Sequence, residues 1–163
     1  MIVVTLIISF LLDGIVLSLT SIDSYVLPLF SLLSLVILYP YYSHNKRKMY
    51  GSVITIGVLY DIVYTNTLFL NTLIFLLLIY LVEQIYKVLT NNFINIFIII
   101  TFVIVLYRFI NYLFFITLGL ISWNTGEIIE CISHSLIANY VYAFFLYFIL
   151  YVISKKLQIK RNI

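Results

Sequence analysis

Six apolar runs, separated by short polar stretches, make up almost the whole chain. The runs are continuous and do not alternate with period two, which is typical of membrane-spanning helices and not of a membrane β-barrel. Charged residues are 9% of the chain, against about 25% in a soluble domain. A soluble fold would have too few polar side chains to cover its surface. The sequence therefore predicts an all-α integral membrane protein, a six-helix transmembrane bundle.

Each run is interpreted as one membrane-spanning helix, because about 20 apolar residues cross the hydrocarbon core. Pro28 is expected in the first turn of the second helix, where its missing N–H costs nothing. The fifth run is longer than a span needs and should tilt or project beyond the bilayer. Residues 1–153 are expected to form a single six-span transmembrane domain and 154–163 a basic cytoplasmic tail, and no cleaved signal peptide is expected. The predicted spans are residues 2–19, 28–42, 50–65, 68–87, 93–121 and 133–153.

The basic residues predict the orientation of the bundle. Eight of the nine Lys and Arg residues fall on one side of the six spans, whereas the opposite loops carry Asp23, Glu127 and Glu130. By the positive-inside rule both termini then lie in the cytoplasm, an N-in/C-in topology. The cytoplasmic basic residues are Lys46, Arg47, Lys48, Lys87, Lys155, Lys156, Lys160 and Arg161.

Three charged side chains lie deep inside predicted spans: Asp13, Asp61 and Arg108. A charge at the bilayer centre costs about 2.5–3.5 kcal/mol on insertion scales, so each of them needs a compensating partner. The depths of the two aspartates and the arginine differ by roughly one helical turn. We therefore predict an intramembrane ion pair of Arg108 with Asp61, Asp13 or both; the alternative is that Arg108 extends to the external interface. Glu83 is expected to pair with Lys87, four residues later.

No catalytic residue, metal site or cofactor is predicted. The two histidines, His44 and His134, fall on opposite sides of the membrane, and Cys131 is the single cysteine, so no metal-ligand cluster forms. The basic residues lie at helix ends and form no groove, which argues against nucleic-acid binding. A proton relay through Asp13 and Asp61 is an alternative use of the two buried acids.

The third span carries a distinctive pattern. Gly57 lies one turn before Asp61 on the same helix face, and tyrosines flank both. The pattern Tyr50-Gly51, Gly57, Leu59-Tyr60-Asp61 and Tyr64-Thr65 resembles the rod shape-determining protein MreD family, in its Gram-positive version. Residues 28–42, the basic loop before the third span, and Lys87-Val88-Leu89-Thr90-Asn91 after the fourth also resemble that family.

The resemblance covers about residues 28–93, with one departure. Members of the family usually have a glycine shortly after the Tyr-Thr pair, where the chain turns into the fourth span. This chain has Asn66-Thr67-Leu68-Phe69-Leu70-Asn71 there. We expect a turn of different construction, in which Asn or Thr side chains bond the backbone.

The resemblance implies a non-enzymatic, multi-pass protein of the bacterial cytoplasmic membrane that takes part in cell elongation. It implies association with MreC, a single-span protein with an extracytoplasmic coiled coil. Through MreC it implies a link to the RodA glycosyltransferase, its class B penicillin-binding partner and MreB filaments, and so to control of cell shape and peptidoglycan synthesis. The fold it implies resembles that of the substrate-binding components of ECF vitamin transporters.

The third-span residues have a physical interpretation as a helix-packing or partner motif. Glycines let helices approach closely and polar side chains add interhelical contacts. The motif residues are Gly51, Gly57, Tyr60, Asp61 and Tyr64. The hypothesis is that this face meets a partner; the alternative is that it packs only within the monomer.

Two other functions are considered. A substrate-binding component of an ECF-type vitamin transporter would usually couple to its transmembrane partner through small-x-x-x-small residues in the first span. That span has only Gly14, with Ser9 and Ser18 nearby, and no alanine. A small proton-linked channel is the third alternative.

Overall fold

The computed structural model describes residues 2–19, 28–42, 45–65, 67, 69–89 and 92–156. Asp23, His44, Lys160 and Arg161 lie outside the described residues, as does the side chain of Lys156. A 3₁₀ segment, Tyr39–Tyr42, extends the second helix, and a π-helical segment, Asp61–Thr65, extends the third. The helices are α1 (Ile2–Leu19), α2 (Phe30–Leu38), α3 (Lys46–Tyr60), α4 (Leu70–Tyr86), α5 (Phe93–Thr117) and α6 (Thr125–Lys156).

The predicted all-α fold with six helices is confirmed over the described residues. The helices are nevertheless unequal in length. By length and composition, three of those described are long and apolar enough to cross a membrane: Ile2–Leu19, Phe93–Thr117 and Thr125–Lys155. The apolar helices Phe30–Tyr42 and Leu70–Tyr86 are shorter. The bundle therefore combines full-length helices with helices that begin or end inside it.

Helix α2 is the centre of the bundle. All nine of its residues are buried, and it contacts α1, α4, α5 and α6. With its 3₁₀ extension it is roughly 20 Å long, at rises of about 1.5 and 2.0 Å per residue. Because the hydrocarbon core is about 30 Å thick, α2 is too short to cross it. Its first turn lies against the middle of α1, next to Asp13.

Two prolines mark the ends of this central segment. Pro28 was expected in the first helical turn, but it lies two residues before the helix, and Leu29 is the N-cap. Pro40 falls in the 3₁₀ segment. There the Tyr39 N–H bonds the carbonyl of Val36, three residues earlier, and not the carbonyl four residues earlier that an α-helix would use. Proline has no N–H to continue an α-helical ladder, which accounts for the change of helix type.

The junction between α5 and α6 corrects two predicted boundaries. α5 ends at Thr117 and not near residue 121, because Gly119 has a positive φ of 70°. The Gly119 N–H bonds Ile116 and the Leu120 N–H bonds Phe115, which is a Schellman ending. α6 begins at Thr125 and not near residue 133.

The early start of α6 has a local cause. Asn124 is a capping residue: its side-chain oxygen accepts the Gly126 N–H at 3.0 Å, and its amide nitrogen donates to the carboxylate of Glu127 at 3.0 Å. Asn followed three residues later by Glu is a helix-start signal.

Contacts between helix ends gather the basic residues at one end of the bundle. Lys46 of α3 forms an ion pair with Glu83, one turn before the end of α4. The ring of Tyr39 stacks on Tyr86 at 5.3 Å, which brings the end of α2 to the same place. At the start of α5, Phe93 packs against Tyr147 of α6 at 5.4 Å. Exposed Lys87 follows the end of α4, and exposed Lys155 follows Tyr147 near the end of α6. Both therefore lie at the end of the bundle that Lys46 occupies.

The turn before α4 contains the one non-glycine residue with positive φ among those described, Phe69 at 58°. A side chain in this conformation costs about 1–2 kcal/mol, and the Phe69 ring, 58% exposed, packs little in return. We expect Phe69→Gly to raise the thermal unfolding midpoint in detergent, with a gain of up to about 1 kcal/mol after the entropy cost of glycine. Phe69→Ala is the matched control, because alanine keeps the strain. An equal gain in both variants would show that φ is not the cause.

Candidate functional site

Asp61 caps the start of α4. Its Oδ1 accepts hydrogen bonds from the Asn71 N–H at 2.9 Å, the Asn71 side-chain amide at 3.0 Å and the Thr67 hydroxyl at 2.7 Å. Its Oδ2 accepts from the Thr72 N–H at 2.9 Å and the Thr72 hydroxyl at 2.7 Å. The residue is 3% exposed. A carboxylate with five such donors is compensated even though it lies among apolar helices.

Asp13 does the same for the start of α2. Its Oδ1 accepts the Phe30 N–H at 2.8 Å, and its Oδ2 accepts the Ser31 N–H at 2.9 Å and the Ser31 hydroxyl at 2.5 Å. Asn139 of α6 adds its side-chain oxygen to the Leu29 N–H at 2.9 Å. Asp13 is fully buried. Both deep aspartates therefore bind helix N-termini, where the helix dipole favours a negative charge.

Arg108 does not join these caps. Within the described part of the chain, neither Asp13 nor Asp61 lies within 4.0 Å of its guanidinium, and the ion pair that forms is Lys46–Glu83. Arg108 lies on α5, 8% exposed, beside Tyr107 and Cys131. The structure thus does not bring Arg108 together with the aspartates as expected, because the aspartate oxygens accept hydrogen bonds from the starts of α2 and α4.

At Gly57, α3 and α4 lie close together. A Cβ added there would lie 2.7 Å from the Cα of Thr72, a backbone atom that cannot move aside. Thr72 is also a ligand of Asp61, so the glycine contact and the cap share one residue. The Gly-x-x-x-Asp pattern therefore packs helices within the monomer. The glycine lets α4 lie close to α3, and the aspartate one turn later binds the first N–H groups of α4.

The two tyrosines of the motif also point inward. Tyr60 is fully buried and donates to the carbonyl of Pro28 at 3.2 Å, at the start of α2. Tyr64 donates to the carbonyl of Phe10 at 2.5 Å and lies on Gly14 of α1, where an added Cβ would meet its hydroxyl at 2.8 Å. The motif thereby fastens α3 to α1 and α2 as well as to α4.

Gly51 is different from the rest of the motif. It is exposed, and an added Cβ would find nothing within 4 Å. Thr55 and Leu59 follow at four-residue intervals and are exposed on the same face. Of the five motif residues, Gly51 is the one that leaves room for another molecule.

The end of α3 changes helix type at Asp61. The Asp61 N–H bonds the carbonyls of Gly57 and Val58, and the π-helical segment Asp61–Thr65 follows. The Thr65 hydroxyl bonds Thr67 at 2.7 Å, and the Asn71 amide reaches both threonines. Asn71, Thr65 and Thr67 thus bond one another through their side chains, whereas the expected bonds of this turn to the backbone stay a prediction, because residues 66 and 68 lie outside the described residues. π-helical turns are frequent at functional sites.

The basic end of the bundle is organised by Glu83. It accepts from Lys46 and, at 2.7 Å, from the Tyr50 hydroxyl. The hydrogen bond to Glu83 raises the pKa of the Lys46 ammonium group above its ordinary value. Lys87, which was expected to pair with Glu83, acts on it through its charge, while its ammonium group donates to Gln84 at 2.8 Å. Arg47, Lys48 and Lys155 are exposed.

Several residues of this network were missed in the sequence. Asn71 and Thr72 open α4 as a polar pair before an apolar run, which is a helix-start signal. Ser9, Ser34 and Tyr142 form a triangle of hydrogen bonds, 2.5–2.6 Å long, that joins α1, α2 and α6. A lone serine in an apolar helix gives no sequence signal for such a contact.

The chain was compared with known families, curated proteins and solved structures. A family model described as "rod shape-determining protein MreD" matches residues 1–157. No curated protein and no solved structure matches the chain. Because the family match covers nearly the whole sequence, the chain belongs to the MreD family. It is a rod shape-determining, multi-pass protein of the bacterial cytoplasmic membrane.

The cap on α4 should make a large contribution to the stability of the bundle. Asp61→Ala leaves the buried N–H groups of Asn71 and Thr72 without their acceptor, and each unsatisfied group costs about 1–3 kcal/mol. Asp61→Asn keeps one acceptor oxygen and should lose less. Thermal unfolding in detergent would measure both against Glu130→Ala, an exposed site where the change should stay within about 0.5 kcal/mol. If Asp61→Ala unfolds no earlier than Glu130→Ala, the cap does not stabilise the fold.

Proposed function

We propose that this MreD family member is a non-enzymatic scaffold of the cell-elongation complex. In this role it binds an MreC-like single-span coiled-coil protein in the membrane and, through it, RodA and a class B penicillin-binding protein, so that peptidoglycan synthesis follows the rod shape. The observation that carries the proposal is the family match over residues 1–157.

The internal use of the motif supports a scaffold of fixed shape. Gly57 and Asp61 hold α4, while Tyr60 and Tyr64 hold α2 and α1. A rigid helix presents the same surface to every partner and loses little conformational entropy on binding. The motif in this proposal sets the position of α3, and the outward face of α3 meets the partner.

The outward face of α3 begins at Gly51. In this proposal Gly51 and Thr55, four residues apart, admit the MreC-like helix, and Leu59 extends the contact by one more turn. Small residues at this spacing let two helix backbones approach closely in lipid, where van der Waals packing drives association.

The orientation completes the proposal. The contacts of Lys46 with Glu83 and of Phe93 with Tyr147 support a common end for the basic residues at the described helix termini. We place that end in the cytoplasm, with both termini, by the positive-inside rule. The basic tail of residues 154–163 is then available to anionic lipid or to MreB filaments.

The first helix does not favour the alternative of a vitamin-transporter component. Its coupling face would lie on α1, but two of the three small residues named there face the bundle: Ser9 bonds Ser34, and Gly14 lies under Tyr64, which leaves only Ser18 exposed.

Two glycine substitutions separate the partner face from the internal face. Gly51→Leu should leave the thermal unfolding midpoint unchanged but reduce co-purification of a tagged MreC-like partner. Gly57→Leu should lower the midpoint of the isolated protein, since the Thr72 backbone blocks the new side chain. Both would be measured beside Ser133→Leu, which places a leucine at an exposed site on α6. Full partner recovery with Gly51→Leu would refute this face.

The orientation has its own test. In a Cys131→Ser background, Lys155→Cys should react with a membrane-impermeant maleimide only after the cells are opened. Glu130→Cys should react in intact spheroplasts, because it lies at the other end of α6. Both side chains are exposed, so access to the reagent is matched. The opposite labelling pattern would overturn the N-in/C-in topology.

Cell shape is the functional readout. Depletion of the protein should round the cells, and wild-type protein should restore rods. The Gly51→Leu variant should fail to do so at equal abundance in the membrane. Rod-shaped growth with Gly51→Leu would mean that this face is not needed for the scaffold.

A further inference from the structure

A cavity of about 440 Å³ opens where α4 starts, at the end of the bundle opposite Lys46. Its walls come from the beginning of α4, the second half of α5 and the first turns of α6. The volume lies within the range of small-molecule sites, about 300–1,000 Å³. The lining surface is mostly apolar and includes Leu70, Phe115, Ile121 and Ile128.

The polar side chains at the α4 side of the wall bind one another. Thr65 and Thr67 share a hydrogen bond at 2.7 Å, and Thr67 and Asn71 both donate to Asp61. The Tyr107 hydroxyl donates to the Asn71 side chain at 2.7 Å. A bound water needs about two to four polar partners. Because these groups are already bonded within the wall, the cavity suits an apolar ligand better than a cluster of waters.

The rim of the cavity continues into the outer surface of the bundle. Ile121 lines the cavity and is also exposed, and Leu118 and Leu120 beside it are exposed. The Tyr112 hydroxyl holds this connection by donating to the carbonyl of Ser122 at 3.0 Å. Residues 109–126 contain no charged side chain. In a multi-pass membrane protein, an uncharged apolar surface of this kind meets lipid hydrocarbon.

We propose that this cavity binds one acyl chain of a membrane phospholipid, whose head group stays outside the rim. A cavity left empty loses the dispersion contacts of its lining, and a flexible chain restores them. Packing of this kind drives association in lipid. The exposed carboxylate of Glu127 repels the carboxylate of a free fatty acid, which favours a phospholipid as the source of the chain.

The charge of Arg108 has no role in this binding. The residue belongs to the wall but is 8% exposed, so little of its surface faces the ligand. Binding should therefore depend on the length of the chain and not on the charge of the head group. It is also independent of the scaffold function.

Cys131 provides a direct probe of occupancy. It is the single cysteine of the chain, is partly buried and lines the cavity. In delipidated protein in a steroid-based detergent, which has no acyl chain, long-chain phosphatidylcholine should slow maleimide labelling of Cys131 in a saturable manner. Long-chain phosphatidylglycerol should protect as well, and dihexanoylphosphatidylcholine, with the same head group on short chains, should protect little.

Each other pattern of protection contradicts the proposal. Equal protection by the short-chain lipid, or protection by phosphatidylglycerol alone, would show that the head group is recognised. Equal protection by palmitate would overturn the phospholipid source. Unchanged labelling with every lipid would mean that no chain enters the cavity.

Two variants fill the cavity, and each has a matched control. Ile128→Trp places an indole in the wall, and Ile129→Trp adds the same side chain at the next position, which is exposed and outside the cavity. Ile121→Trp fills the cavity from the α5–α6 connection, with exposed Leu120→Trp as its control. Ile121 lies outside the helices, so this second variant should fold even where Ile128→Trp does not.

Native mass spectrometry reads out these variants without Cys131. Wild-type protein and both controls should retain one long-chain phosphatidylcholine, and the two filling variants should lose it. The thermal unfolding midpoint checks that each variant is folded. Retention of the lipid by the folded filling variants would place it outside this cavity and refute the proposal.

Discussion

The helix N-termini inside the bundle are the constraint on which the rest of the structure depends. The first N–H groups of a helix have no partner within it, and the hydrocarbon core has no water to supply one. α2 and α4 both begin among other helices, so each needs acceptors from a neighbour. Asp13 and Asn139 supply them for α2, and Asp61 supplies them for α4. The two deep carboxylates and the short helices thus compensate each other: a free charge or an uncapped helix would each destabilise the fold.

The caps also fix how the helices pack. Asp61 binds the Thr72 N–H, and Thr72 is the residue whose backbone a side chain at position 57 would meet. Any shift of α4 along α3 would break the cap and bring backbone against backbone. Tyr60 and Tyr64 extend the same attachment to α2 and α1. The pattern that identifies the family in the sequence is therefore chiefly the pattern that holds four helices in register, and its outward part is reduced to Gly51.

The sequence was sufficient for the features that follow from local composition. Six apolar runs predicted six helices, and the depth of Asp13 and Asp61 predicted that both needed compensation. It was not sufficient to name their partners, because a backbone N–H is present at every position and gives no signal of which helix will begin beside a carboxylate. Arg108 is the single deep cation in the sequence and was therefore the expected partner of the aspartates. In the structure Asp61 instead accepts the N–H groups at the start of α4, where the helix dipole favours a negative charge. The cap of Asn124 with Glu127 follows a local sequence signal, whereas the caps supplied by Asp13 and Asp61 come from other helices and have none.

The cap of α4 and the cavity beside Arg108 are structurally connected. Thr65, Thr67 and Asn71 line the cavity, and the last two also bind Asp61. The hydroxyl of Tyr107 in the cavity wall donates to the Asn71 side chain at 2.7 Å. α4 can begin beside the cavity because Asp61 accepts the first N–H groups of that helix. The hydrogen bonds from Tyr107 to Asn71 and from Asn71 to Asp61 therefore connect the cavity wall to the cap that holds α4 against α3.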